Sequence, residues 1–288
     1  MSKMDHVTPG ITRIDYEDNI FVTTGLDAST NKEVKAYIES CGGIIKGSVT
    51  KTTNYLIFEY NYDETAQYKK AMDLIREKGI PIVLLSAEHL FEIIAEGKDR
   101  IEFGTYPYES DGTRKPIKWI VLKREGNKAM LLSADGLDVK KYNEESKEVT
   151  WETCTLRKWL NEEFFDTAFS AEEQQRIISM IVKNPDNPNY QTPGGNDTED
   201  KVFLLSIDEA LKYLVRPERI VAPSPYVKKK GYLTWNGYCC WWLRSPGCSP
   251  DCAAGVSTDG IVDNRGGSVK LIPEVVRPAL WVELGSDI

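Results

Sequence analysis

The chain has 288 residues, 41% of them hydrophobic and 28% charged, with a net charge of −8 at neutral pH. No apolar run is long enough to span a bilayer, and the length suits one large or two ordinary domains, two being the better reading. The acidic excess is shared by both halves, so neither has the basic character of a non-specific nucleic-acid binder. The start, Met1-Ser2-Lys3-Met4-Asp5-His6, lacks the basic-then-apolar order of a secretion signal, which predicts a cytoplasmic protein without a membrane partner.

Residues 1–13 read as a tail. From 14 to 96 short apolar runs alternate with helical patterns in the order strand, helix, strand, strand, helix, strand, helix, which predicts an α/β domain with a parallel four-stranded sheet. The strands are Ile20-Phe21-Val22, Ile44-Ile45, Tyr55-Leu56-Ile57-Phe58 and Ile82-Val83-Leu84-Leu85. Val34, Ile38 and Cys41 mark the inner face of a helix ended by Gly42-Gly43. Ala71, Leu74 and Ile75 mark a second, ended by Gly79. Ser86, with His89 three residues on, opens a third that turns Leu90, Ile93 and Ile94 inward.

With Phe21-Val22-Thr23-Thr24-Gly25, the Gly42-Gly43 turn, Val49-Thr50-Lys51-Thr52-Thr53-Asn54-Tyr55-Leu56-Ile57, the Lys70-Ala71 helix and Gly79-Ile80-Pro81-Ile82, this segment resembles a BRCT domain. That is the small α/β module of DNA-repair proteins and bacterial NAD-dependent DNA ligases. The resemblance implies a protein-docking module. In the phosphopeptide-binding members it also implies phosphate-holding roles for Thr24, Gly25 and Lys69 or Lys70. Alignment on Lys70-Ala71 puts Gln67 at the position of the family's lysine.

After the short polar link Glu96-Gly97-Lys98-Asp99-Arg100, residues 101–285 read as a second, α+β domain. Two apolar strands, Trp119-Ile120-Val121-Leu122 and Ala129-Met130-Leu131-Leu132, join as a hairpin through Glu125-Gly126-Asn127. Leu156, Trp159, Leu160 and Phe164 form a helical stripe, and Ser170 with Glu173 and Ser206 with Glu209 are capping-box pairs opening two more helices. Near the end, Trp241-Trp242-Leu243-Arg244-Ser245-Pro246-Gly247 and Val276-Arg277-Pro278-Ala279-Leu280-Trp281-Val282 have the chemistry of buried strands with anchored arginines. Between them, from Cys248 to Val269, small, polar and turn-forming residues follow no period, which predicts a solvent-facing surface.

The second half is similar to the C-type lectin-like fold, in the bacterial branch of formylglycine-generating enzymes and of variable proteins of diversity-generating retroelements, and to a domain of unknown function frequent in gut bacteria and their phages. The resemblance rests on 149–161 (Val-Thr-Trp-Glu-Thr-Cys-Thr-Leu-Arg-Lys-Trp-Leu-Asn), on 194–206 (Gly-Gly-Asn-Asp-Thr-Glu-Asp-Lys-Val-Phe-Leu-Leu-Ser) and on the two flanking motifs. It implies a variable ligand-binding face made of Cys248, Ser249, Pro250, Asp251, Cys252, Val256, Ser257, Asp259, Ile261, Val262, Asp263, Asn264 and Arg265, over a scaffold of Trp241, Trp242, Arg244 and Arg277. Retroelement mutagenesis of asparagine codons cannot yield Lys, Glu, Gln, Met or Trp, and all five are absent between Cys248 and Val269.

No metal, cofactor or catalytic group is predicted. Cys239, Cys240, Cys248 and Cys252 lack zinc-ligand spacing, and a Cys248–Cys252 disulfide would be at odds with a reducing cytoplasm. Trp235-Asn236-Gly237 lacks the carboxylate of a calcium-lectin tripeptide. The acidic residues Asp186, Asp197, Glu199 and Asp200 and the run Lys228-Lys229-Lys230 read as solvated. Two histidines, His6 and His89, assemble no catalytic constellation. The expectation is a non-catalytic binding protein of a bacterium or phage, engaging an unknown macromolecule through residues 248–269 and a protein through the BRCT module. The alternative is an adaptor of DNA metabolism whose BRCT half binds phosphopeptides or DNA ends and whose second half is structural.

Overall fold

The computed structural model describes residues 8–59, 62–145, 147–232, 237–271 and 273–285. The chain divides into two units, meeting between Gly97 and Lys98. Met1–His6, Trp235 and Asn236 lie outside the described residues.

In the first unit β1 (Ile20–Thr24) leads to α1 (Ala28–Ser40), β2 (Ile44–Ile45), β3 (Tyr55–Phe58), α2 (Ala66–Lys78), β4 (Val83–Ser86) and α3 (Ala87–Glu96). The sheet runs β2-β1-β3-β4 and every pairing is parallel. Local chemistry sets the helix ends. Asp27 accepts from the Ser29 and Thr30 amides to start α1, Thr65 caps α2 through the Tyr68 amide, and Ser86 caps α3 through the His89 amide. Gly79 ends α2 at φ 62°, the left-handed conformation a C-terminal cap requires. Val34, Ile38, Leu90, Ile93 and Ile94 are buried as their spacing predicts, whereas Cys41 is the half-exposed cap residue of α1. The stretch expected to be a tail is tied down from Thr8. The Thr8 amide donates to Leu84 O, its hydroxyl accepts from the Leu84 amide, and Ile11 O lies 2.8 Å from His89 Nε2.

The second unit is β-rich with short helices. Its strands are β5 (Arg100–Pro107), β6 (Arg114–Glu125), β7 (Lys128–Ser133) and β8 (Asp138–Lys140). There follow α4 (Thr155–Trp159), a π-helical turn (Leu160–Phe164), α5 (Phe165–Ala168) and α6 (Ala171–Arg176). Then come β9 (Ile177–Ile178), β10 (Met180–Val182), β11 (Thr198–Asp200), β12 (Val202–Phe203), α7 (Ile207–Tyr213), α8 (Arg216–Arg219) and α9 (Pro225–Lys229). The chain closes with β13 (Trp241–Pro246), β14 (Cys252–Val256), β15 (Val262–Ser268), β16 (Glu274–Val276) and β17 (Ala279–Glu283). One sheet runs β12-β17-β7-β6-β5 with β9 also on β17, a second runs β15-β14-β13-β16-β8, and β10 pairs with β11 alone. The predicted hairpin is β6–β7, both capping boxes are formed, and the Leu156, Leu160 and Phe164 stripe is buried.

Of the residues expected to be solvated, Asp186, Asp197, Glu199 and the run Lys228-Lys229-Lys230 are exposed, whereas Asp200 is buried in a polar network. Asp200 is 1% exposed and accepts from Trp151 Nε1 at 2.9 Å, Thr198 Oγ1 at 2.7 Å and Arg157 Nε at 2.6 Å. Lys230 donates to buried Asp138 at 2.5 Å, whose other oxygen accepts from the Tyr106 hydroxyl. Trp151 and Arg157 are far from Asp200 in sequence, so composition alone made that carboxylate look hydrated.

Asp200→Ala strands an indole N–H, a hydroxyl and a guanidinium, and is expected to destabilise the second unit by about 3 kcal/mol. Chemical denaturation of the variant checks this, and a loss below about 0.5 kcal/mol, the range of an ordinary surface change, would contradict it.

Candidate functional site

The segment between the two flanking motifs is a hairpin, β14–β15, joined through residues 257–261 and standing on a frame of four buried side chains. Trp241 and Trp242 are fully buried and donate their indole N–H groups to Arg219 O and Lys140 O, each at 2.9 Å. Arg244 donates to Leu204 O at 2.7 Å and to Lys183 O at 2.9 Å and pairs with Glu209. Arg277 donates to Ser133 O and Glu218 O, each at 2.8 Å, with its guanidinium 5.1 Å from the centre of the Trp241 ring. Burial pulls its pKa down to about 10, so it stays charged at neutral pH.

The hairpin is more ordered than its composition suggests. Pro250, Asp251, Asp259, Ile261, Asp263 and Arg265 are exposed, and Cys248, Ser249, Cys252, Ser257, Val262 and Asn264 are half-buried. Val256 is 1% exposed, so the expectation that it belongs to the outer face is corrected. Its row across the sheet is Val262, Val256, Trp241, Val275 and Val139, which points into the core because strand side chains alternate. Ala253 and Ala254 are buried with it. The turn between the strands is held from both ends. Asp259 Oδ1 accepts from the Ser257 hydroxyl and the Ile261 amide, Arg216 Nε donates to Asp259 O at 3.0 Å, and Arg219 Nε donates to Gly260 O at 2.7 Å. The Ser257 bond most of all, then the Ile261 bond and the Arg216 charge, hold the Asp259 carboxyl below the usual carboxylate range. At the bulge, Gly266 sits at φ 70°, and a Cβ there would lie 2.0 Å from Ala253 O, so glycine is required. Ile261 and Arg265 are left as exposed side chains without a hydrogen bond or ion pair.

Glu274 of β16 is a residue that sequence reasoning missed. Its Oε2 is buried and accepts no hydrogen bond. The side chain lies against two glycines: a Cβ on Gly255 would stand 3.1 Å from Oε2, and one on Gly267 would stand 3.6 Å from Oε1. Burial, with the Asp263 carboxylate adding a smaller like-charge effect, pushes the Glu274 carboxyl up to about 8. Cys240 and Tyr232 feel it in turn and are themselves raised, burial being the larger cause for both. The only sequence signal was a glutamate two residues before the second flanking motif.

The first unit offers a second location. In the order β2-β1-β3-β4 the chain leaves β1 on one side for β2 and returns on the other for β3, and the carboxyl end of such a strand is where open α/β sheets bind ligands. Thr24 and Gly25 occupy that end. Among the described residues the Thr24 hydroxyl and the exposed Lys69 and Lys70 ammonium groups make no hydrogen bond or ion pair, so all are available. Gln67 is committed elsewhere, its Oε1 accepting from the Val49 amide at 2.7 Å. Among the described residues no group of three His, Cys, Asp or Glu side chains is arranged to hold a metal ion, and all six cysteines are free thiols.

Because the folded pKa of Glu274 lies above its ordinary value of 4.5, the folded state holds an extra proton between the two. Its contribution to stability is complete below about pH 4.5 and is lost as pH rises through about 8. Glu274→Gln, neutral throughout, should therefore match the wild type at pH 4 and exceed it at pH 9 by a few kcal/mol. Melting curves at the two pH values decide it: an equal decline in both proteins would refute the assignment.

Two family models match the chain. Residues 15–84 match the BRCT (BRCA1 C Terminus) domain, and residues 126–284 match a domain of unknown function, DUF6273. The DUF6273 match begins in the β6–β7 turn, so β5 and β6 lie outside it. Among curated proteins, a DNA ligase of Lachnoclostridium phytofermentans is 42% identical over 78 residues, 26% of this chain and 11% of the ligase. No solved structure matches significantly. With that second model spanning more than half of the chain, the chain belongs to the DUF6273 family and carries an N-terminal BRCT domain.

Proposed function

We propose that this protein is a non-catalytic adaptor of DNA metabolism, acting in the cytoplasm, whose BRCT domain docks a DNA end or a phosphorylated protein. The observation that carries the reading is the resemblance to the ligase segment, together with the position of Thr24 and Gly25 at the carboxyl end of β1. A hydroxyl at that end and two lysines without partners are the donors a phosphate needs. Because Gln67 is tied to the Val49 amide, the cationic part of such a site falls to Lys69 or Lys70. Fluorescence anisotropy with a nicked duplex bearing a 5′-phosphate, and with a phosphothreonine peptide, is the test. One of the two should bind, and Thr24→Ala should weaken it about tenfold, the loss of one charge-assisted hydrogen bond. Binding of neither ligand, or equal binding by Thr24→Ala, overturns the reading.

A second reading is favoured by the hairpin. We infer a ligand-binding face on a C-type lectin-like scaffold, diversified at its exposed positions in the manner of retroelement variable proteins. It is supported by exposed Asp251, Ile261 and Arg265 lying beside a frame that places Trp241, Trp242, Arg244 and Arg277 in the core. Side chains that contribute little to burial can change without cost to folding. Replacing Asp251, Ile261 and Arg265 together should leave stability within about 1 kcal/mol, whereas Val256→Asp should unfold the unit. Thermal unfolding of the two variants distinguishes a tolerant surface from a structural one.

A further inference from the structure

A cleft of about 150 Å³ opens in the second unit, lined by Lys140, Lys141, Glu144, Thr155, Leu156 and Trp159. It belongs neither to the hairpin face nor to the BRCT domain. Two of its side-chain donors, the Lys140 ammonium and the Thr155 hydroxyl, have no acceptor among the described residues. The Lys140 ammonium lies 4.6 Å from the centre of the Trp159 ring and has no carboxylate partner among the described residues. The Trp159 indole N–H is buried and bonds to nothing, a costly arrangement for a donor. The Thr155 hydroxyl accepts from the Glu144 amide and keeps its own proton to give. The one carboxylate in the cleft, that of Glu144, is already 3.7 Å from the Lys141 ammonium.

The walls are fixed. Lys140 ends β8, where its carbonyl accepts from Trp242 and its Cα is in register with Glu274. Trp159 packs against Phe164 with ring centres 5.4 Å apart. A prebuilt cleft rich in donors selects an acceptor-rich guest, and its volume, below the ~300 Å³ at which drug-sized pockets begin, limits that guest to a small group. A neutral polyol would need acceptors as well as donors and finds only a carboxylate already paired.

We propose that this cleft binds the phosphate of a phosphomonoester, with Lys140 supplying charge, Thr155 a hydrogen bond and the Trp159 side chain a wall. The source is either a free sugar phosphate or a phosphorylated serine side chain, which share that chemistry. The test is a titration of the full chain followed by the indole N–H resonance of Trp159, assigned by its disappearance in Trp159→Phe. The probes are ribose 5-phosphate and O-phosphoserine, with sodium chloride at matched ionic strength as control. A saturable shift with either phosphate is expected, and the tighter ligand names the source. Lys140→Ala should weaken it about tenfold, equivalent to the loss of one charge-assisted contact. Glu144→Gln, which removes the one repelling charge, should tighten binding about threefold, a gain that a damaged fold cannot produce. No saturable shift, a shift reproduced by chloride, or unchanged affinity in both variants overturns the proposal.

Discussion

The second unit depends on a charge that is buried without an ion-pair partner among the described residues. Arg277 is 1% exposed, and its donors go to two main-chain carbonyls, Ser133 O and Glu218 O, while the guanidinium faces the Trp241 ring. Ser133 ends β7 in one sheet, Glu218 lies on α8 and Trp241 begins β13 in the other sheet. One side chain therefore ties both sheets and the helix between them. Moving any of the three elements would leave a guanidinium or a carbonyl unsatisfied in a dry core, which costs several kcal/mol. Arginine suits this role better than lysine because its planar fork can serve two carbonyls while its face stacks on an indole.

The same device recurs around the hairpin. Arg244 links Leu204 O, Lys183 O and Glu209, and Arg219 links Gly260 O to Leu214 O. Lys98 pairs with Glu218 at 2.7 Å, with both side chains largely buried. The loops of this unit are long and irregular, so backbone carbonyls that a longer helix or sheet would have satisfied internally are satisfied by arginine and asparagine side chains instead. Asn187, fully buried, donates to both Pro246 O and Asn264 O. Rigidity under the hairpin thus comes from polar anchoring as much as from apolar packing, and it leaves the exposed Ile261 and Arg265 side chains free of structural duty.

Glu274 is the exception that the arrangement tolerates. It shares a face with Gly255, Asp263 and Trp242, and the absence of side chains on Gly255 and Gly267 makes the room its carboxyl occupies. Desolvation is the dominant influence on it, and holding a proton is the least costly response at neutral pH. A buried acid beneath an exposed hairpin couples the hairpin's packing to pH through a single group.

The BRCT half was legible because its determinants are local: Ser86 and Gly79 punctuate helices within a turn of where they act, and Tyr55-Leu56-Ile57-Phe58 is too apolar to be anything but a central strand. In the second half the same held for the capping boxes at Ser170 and Ser206 and for the buried tryptophan–arginine motifs. What stayed illegible depends on partners distant in sequence. Asp200 looked solvated until Trp151 and Arg157 were seen to donate to it, Val256 looked like part of a variable surface until register set it beside Trp241, and Lys140, Thr155 and Trp159 line one cleft only because β8 and α4 come together. Residue order decides propensity, capping and periodicity, which act over a few positions. Burial and unpaired polarity are properties of the packed neighbourhood, and only the folded chain supplies one.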